Sequence, residues 1–332
     1  MFIIQTYSTA ILFCIITMFC WGSWANTTKL SSSTWRFELF YWDYAFGILL
    51  LSLIMAFTMG SNGVAGRSFL EDLSQADNAN LVSAVTGGVV FNLANILLVS
   101  AIALAGMSVA FPVGIGIALI LGVIVNYSAN PQGSAVLLFG GVALIAVAIL
   151  LNANAYRQVN RGKATFSAKG LVLAIVAGVL MGFFYKYVAV SMATDFSVPE
   201  AGKLTPYTAL VFFAIGLVMS NFLFNGLLMR FPFAGTRLSI RDYFQGSVKD
   251  HVVGILGGMI WHVGMAFNII ASGKAGPAVS YGLGQGATII AAIWGIFIWK
   301  EFAQASKATY RALYFMLLLY LAGIILIILA NN

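Results

Sequence analysis

The chain has 332 residues, of which 61% are hydrophobic and only 8% charged, with a net charge of +7. A soluble domain of this length carries roughly a quarter charged residues, so these charges cannot cover a water-facing surface and lipid must be the main solvent. The basic residues fall in short clusters between apolar runs, which excludes a nucleic-acid footprint and follows the positive-inside pattern.

Ten apolar runs are long enough to span a bilayer, and each must be helical because lipid offers backbone groups no hydrogen-bond partner. The first two are expected at Ile3–Asn26 and Phe37–Met59. The N-terminus lacks a basic region and a small-residue cleavage site, so it reads as a span rather than a signal peptide. Between these spans lies Cys20–Tyr44, where Trp21, Trp24, Trp35 and Trp42 gather with Glu38 and Asp43. Spans 3 and 4, Val82–Leu104 and Met107–Tyr127, are almost fused, and span 5 covers Ser134–Ala155. Spans 6 to 10 follow at Ala168–Met192, Pro206–Met229, Val252–Ser272, Gly276–Trp299 and Ala308–Ala330. Two connectors carry capping-box patterns, Ser68-Phe-Leu-Glu71 and Ser239-Ile-Arg-Asp242, and predict short interfacial helices with Phe69, Leu70 and Leu73 on the membrane surface.

Lys29, Arg36, Arg157, Arg161, Lys163, Lys169, Arg230, Arg237, Arg241, Lys249, Lys300, Lys307 and Arg311 fall in or beside the 1–2, 5–6, 7–8 and 9–10 connections. The other side has Arg67, Lys203 and Lys274. This bias predicts a multi-pass protein of the inner (plasma) membrane with both termini outside the cytoplasm.

A shift of 170 residues lays spans 3–4 on spans 8–9 without a gap. Gly87-Gly88 meets Gly257-Gly258, Ala105-Gly106 meets Ala275-Gly276, and Gly114 and Gly116 meet Gly284 and Gly286. Five spans per half is an odd number, so the second half enters from the opposite side. The fold class expected is an all-α integral membrane protein of ten transmembrane helices in two inverted five-helix repeats, residues 1–155 and 156–332. Such duplications build carriers with a solute site near the midplane.

The repeat directs attention to Phe111-Pro112-Val-Gly114-Ile-Gly116 and its counterpart Tyr281-Gly282-Leu-Gly284-Gln285-Gly286, where helix breakers recur at equivalent depth. Close packing through small residues accounts for the glycines equally well. His262 lies mid-span opposite Asn92, with Asn95 three residues on. An ionisable group at that depth is expensive and points to binding or proton handling, against a neutral histidine bonded to a neighbouring helix. Lys186 shares a face with Gly178 and Gly182, which turns it inward, although its stem is long enough to snorkel out. Trp21 and Trp24 form one face of span 1, and Glu38 and Asp43 are acids near the start of span 2. An aromatic belt with Glu38 paired to Arg36 or Lys29 is the plainer reading. Candidate solute contacts are therefore Trp21, Trp24, Asn92, Asn95, His262, Tyr281 and Gln285. Candidate proton or charge handlers are Asp43, Glu38, Lys186 and His262. His251 is expected in a loop. No Walker loop, zinc spacing, nucleophile elbow or repeated filter sequence is present, so no cofactor, metal or catalytic role is expected.

Trp21-Gly-Ser-Trp24-Ala-Asn26-Thr-Thr-Lys29 and Trp35-Arg-Phe-Glu38-Leu-Phe-Tyr41-Trp-Asp43-Tyr44 resemble the ureide permease family of the drug/metabolite transporter superfamily, close to rhamnose–proton symporters and glucose/ribose uptake proteins. The resemblance implies a ten-span secondary transporter, usually proton-coupled, for allantoin, uracil and related oxo-heterocycles or for monosaccharides. The long charged central loop of the plant members is missing here. The partners expected are a small uncharged solute, protons and the lipid bilayer, with monomer and weak dimer both open. Proton-driven export of metabolites or drugs is the alternative within transport. Outside it stand a membrane receptor or assembly subunit and, more weakly, an intramembrane enzyme.

Overall fold

The computed structural model describes residues 1–63, 65–159 and 167–331, so Arg161 and Lys163 lie outside the described residues. Among the described residues ten helices are long and apolar enough to cross a membrane, the first together with the 3-10 turn that continues it. They are α1 (Tyr7–Ser23), α2 (Phe37–Phe57), α3 (Asn78–Ala105), α4 (Met107–Ala129), α5 (Ala135–Val159), α6 (Ala168–Ser191), α7 (Pro206–Arg230), α8 (Val248–Ala275), α9 (Pro277–Ile298) and α10 (Lys307–Leu329). Among the described residues the one β pairing is an isolated bridge between Met192 and Leu204.

The elements depart from the sequence reading where polar groups intervene. After Ser23 the chain tightens into a 3-10 helix, Trp24–Leu30, whose Thr27 and Thr28 hydroxyls donate to carbonyls three residues back. Helix α8 starts at Val248 because Ser247 and Asp250 form a capping box; His251 is therefore helical, which corrects its expected place in a loop. Helix α4 runs unbroken through Pro112. Its counterpart α9 is interrupted at Gly286 and ends in a π-helical turn, Trp294–Ile298. The two short capped helices form at Phe69–Gln75 and Ile240–Phe244. Of the three expected surface residues on the first, only Leu70 is exposed. Phe69 turns inward, its ring 5.2 Å from Phe57.

Glycines set the closest helix approaches, and these come in corresponding pairs. A Cβ at Gly88 would stand 2.0 Å from the Phe213 carbonyl oxygen, and one at Gly258 would stand 2.0 Å from that of Tyr44. A Cβ at Gly216 would meet the Val85 oxygen at 2.2 Å, and one at Gly47 the Ile255 oxygen at 2.2 Å. Helix α3 thus lies on α7 as α8 lies on α2. The α3–α4 and α8–α9 turns are also alike: Gly106 and Gly276 take φ of 78° and 77°, a region that costs glycine nothing.

One end of this bundle is closed by hydrogen bonds between segments far apart in the chain. Arg67 pairs with fully buried Asp72 at 2.9 Å and donates to the carbonyls of Pro199, Glu200 and Lys203. Tyr7 donates to the Ile328 carbonyl at 2.6 Å and Tyr207 to that of Phe2 at 3.0 Å. The other end, with the 1–2, 7–8 and 9–10 connections, admits a cavity.

Candidate functional site

That cavity has a volume of about 410 Å³ and runs from the open end into the centre of the bundle. Its deep wall is aromatic. Trp261 of α8 stacks on Trp21 at 5.8 Å and lies 4.4 Å from Phe91, while the Trp21 indole N–H donates to the Trp261 carbonyl at 3.2 Å. Aromatic pairs at such spacing add about 0.5–1.5 kcal/mol each beyond their buried area, which makes the wall rigid. A Cβ at Gly264 would lie 2.7 Å from Trp21 Cδ1, and one at Gly284 2.7 Å from its Cζ3. The indole is thus held against α8 and α9 at places where only glycine leaves room. Trp24 continues the wall, with its ring 4.7 Å from Tyr44.

The polar lining is sparse. Asn95 donates to the Tyr41 hydroxyl at 3.1 Å. Gln285 faces the cavity just before the break at Gly286, and its side chain makes no hydrogen bond among the described residues. Asn152 of α5 also lines it, and its Oδ1 is buried without a partner among the described residues. At the mouth, Glu301 accepts from Tyr156 at 2.6 Å and faces Lys29 at 3.4 Å; the Lys29 ammonium sits 4.0 Å over the Trp299 ring. Flat aromatic surfaces with a few amides suit a small, planar, polar molecule.

Four of the predicted solute contacts, Trp21, Trp24, Asn95 and Gln285, come together in this cavity. The other three do not line it. Asn92 is fully buried on α3 and donates to Ser220 of α7 at 2.9 Å. Tyr281 is fully buried and donates to the carbonyls of Ala118 and Met181, both at 3.1 Å, so it ties α9 to α4 and α6. His262 is fully buried, with both ring nitrogens unpartnered among the described residues. Trp261, one residue earlier, takes the cavity position instead.

The charge handlers also separate. Asp43 is 2% exposed and accepts from the Tyr243 hydroxyl at 2.6 Å, with His251 Nδ1 at 3.0 Å. Trp35 packs edge-on against His251 at 5.1 Å. Burial, then the Asp43 carboxylate, push the Tyr243 phenol above its ordinary range. Glu38 pairs with Arg36, which also donates to the carbonyls of Ala234 and Thr236 and so fixes the α7–α8 connection. This is the expected Arg36 pairing; Lys29 takes Glu301 instead. Lys186 is half-buried and has no ion pair or hydrogen bond among the described residues.

Sequence reasoning missed Trp261, Asn152, His251 and Glu301. For His251 a signal was present: Ser247-Val-Lys-Asp250 is a capping box, and it starts α8 in time to place His251 on the Asp43 face.

Ten helices long and apolar enough to cross a membrane, around a cavity open at one end, define a multi-pass membrane protein, and its class follows from the family it matches. The ureide permease family profile matches residues 40–168 and 160–330, and the chain belongs to that family. It is similar to ureide permease 4 of Arabidopsis thaliana, with 23% identity over 400 aligned positions covering 100% of this chain and 99% of the relative. Ureide permease 1 of the same plant is 22% identical, with 98% and 97% covered. These alignments are longer than this chain, so the relatives carry segments it lacks. A solved crystal structure superposes with a TM-score of 0.60 over 96% of each chain at 14% identity, a likeness of fold alone.

Proposed function

We propose that this protein is a secondary active transporter that imports a small, uncharged oxo-heterocycle of the ureide or nucleobase kind by alternating access, driven by protons. The observation that carries this reading is the cavity itself, which is lined by the indoles of Trp21 and Trp261 together with Asn95, Asn152 and Gln285. The relatives' shared name, ureide permease, supports the solute class. A monosaccharide is the second solute class to screen.

The paired glycine approaches support two inverted halves, 1–155 and 156–332, that rock against each other. With the basic connections in the cytoplasm of a plasma membrane and both termini outside, the cavity faces inward and the Arg67–Asp72 network closes the outer end. Helices that meet through glycine and backbone slide past one another at little steric cost, which is what rocking requires.

For coupling, Asp43 is the acid best placed on geometry. It is buried on α2, against α8 and the 240–244 helix, and Tyr243 and His251 are both proton-bearing partners. Protonation of Asp43 would loosen that three-element contact at the inner rim. His262 and Lys186 have no hydrogen-bonding partner among the described residues through which a proton change would act, and Glu38 is already committed to Arg36. A proton entering down 100 mV supplies about 2.3 kcal/mol, enough for modest accumulation.

The test is uptake of labelled allantoin, uracil and monosaccharides into proteoliposomes with and without an imposed proton gradient. Gradient-dependent accumulation in the wild type is expected. Asp43→Asn should abolish accumulation while sparing solute exchange. Accumulation unaffected by Asp43→Asn removes it as the coupling acid, and uptake indifferent to the gradient rules out proton coupling.

A further inference from the structure

The mouth of the cavity contains a built feature that the transport reading does not use. Helix α9 widens into the π-helical turn Trp294–Ile298, and such turns recur at functional sites. Two residues later Lys300 adopts a φ of 51°, an uncommon value for a residue with a Cβ. The reversal lets the Glu301 N–H donate to the Gly295 carbonyl at 2.9 Å. It also lays the carboxylate over Gly295, where a Cβ would stand 2.9 Å from Glu301 Oε2 and 2.9 Å from the Tyr156 hydroxyl. A widened turn, a left-handed residue and a missing side chain thus converge on one carboxylate that lines the cavity.

Glu301 is the one acid lining the cavity among the described residues. An ionised carboxylate offers about four acceptor positions and no donor. Tyr156 occupies one at 2.6 Å, and Lys29, at 3.4 Å, makes a longer and partly exposed contact. Acceptor capacity is left over. Asn152, which lines the cavity, lies four residues before Tyr156 on α5, hence on the same helix face, and its Oδ1 is buried with no donor among the described residues, so a turn of the amide would present it to a solute. Buried acceptors without donors are costly, and here they share a helix face with the group that holds Glu301.

We propose that Glu301 and Asn152 form the acceptor end of the solute site and select solutes that present N–H donors, as cyclic and open-chain ureas do. The assignment rests on the ureide reading and adds what that reading leaves open: which residues distinguish an N–H-rich heterocycle from a flat molecule of equal size. Stacking on Trp21 and Trp261 is indifferent to N-methylation, whereas hydrogen bonds to Glu301 and Asn152 are not.

The experiment measures dissociation constants of allantoin, uracil and 1,3-dimethyluracil for the purified full chain by tryptophan fluorescence. Wild type should prefer uracil to its dimethyl analogue by about 10-fold or more, the effect of losing hydrogen bonds to a charged acceptor. Glu301→Gln keeps an acceptor for Tyr156 and the side-chain volume. It should weaken uracil and allantoin by about 10- to 100-fold, leave the dimethyl analogue nearly unchanged and so erase the preference. Asn152→Leu should weaken uracil without lowering the melting temperature, because it removes a buried unpartnered group. Binding of uracil and allantoin that is unaltered in Glu301→Gln overturns the assignment while leaving the ureide reading intact. An equal loss for methylated and unmethylated solutes does the same, since it marks general damage to the mouth. Wild-type protein that binds none of the three overturns the ureide reading and the assignment together.

Discussion

Gly284→Ala is the sharpest probe of how the helix framework shapes the cavity. The new Cβ would lie 2.7 Å from Trp21 Cζ3 and 2.9 Å from Asn268 Nδ2, where carbon atoms normally keep about 3.5–4.0 Å. The Trp21 ring must give way by nearly 1 Å. It cannot simply slide along α8, because its other end abuts Gly264 and its N–H is held by the Trp261 carbonyl. The free space beside it is the cavity, so the ring tilts inward and narrows the stacking surface. Overpacking of this kind costs about 1–3 kcal/mol, which at about 1.4 kcal/mol per decade is a loss of about 5- to 150-fold in solute affinity if the bound state bears the cost. Fluorescence titration of purified protein with uracil or allantoin measures it, and a thermal melt monitors the fold. Combining Gly284→Ala with Trp21→Phe should recover thermal stability, because the smaller ring leaves room for the methyl group. Gly116→Ala is the control, since nothing stands within 4 Å of its Cβ. Wild-type affinity in Gly284→Ala would refute the claim that α9 positions Trp21 by direct contact.

Other outcomes follow from the same geometry. Gly88→Ala and Gly258→Ala both drive a Cβ to 2.0 Å from a backbone carbonyl and should each cost about 1–3 kcal/mol in thermal or denaturant unfolding, while Gly226→Ala, with nothing within 4 Å, should cost nothing. A difference in kind between Gly88→Ala and Gly258→Ala would count against equivalent halves. At the closed end, hydrogen bonds from the Thr194 hydroxyl and N–H hold the Glu200 carboxyl below its ordinary range. A depressed folded value means stabilisation that is complete above the usual glutamate value near 4.3 and lost as the pH falls through the lower folded value. Hydrogen exchange across residues 193–204 should therefore speed up only in that acid range, and Glu200→Gln should remove the pH step.

The membrane architecture was readable because lipid imposes a length and a composition on every span, and the ten expected helices match the ten observed. Glycine spacing was equally informative: Gly88 and Gly258, matched by sequence shift alone, meet corresponding carbonyls on α7 and α2. Helical phase was less legible: of the residues chosen for depth and face, Asn95 lines the cavity while Asn92 and His262 do not, and Trp261, one residue before His262, does. A glycine-rich span marks a close approach without saying on which side it occurs. Residues joined only by tertiary structure were invisible, Lys29 and Glu301 among them, which meet across 272 positions. Asp43 was legible as a deep acid, but its partners depended on where α8 begins. The aromatic stretch at Cys20–Tyr44 turned out to serve two ends: Trp21 and Trp24 line the cavity, while Trp35 packs on His251 and Trp42 on Met229.

The most direct test of the whole account is counterflow of labelled allantoin and uracil into proteoliposomes preloaded with the unlabelled compound, with no ion gradient imposed. The account predicts transient, saturable uptake by the wild type and none by Asn95→Trp, whose larger side chain fills the cavity beside Phe91 and Trp261. Counterflow that persists in a properly folded Asn95→Trp variant, or its absence in the wild type for every ureide, nucleobase and monosaccharide tried, would contradict it.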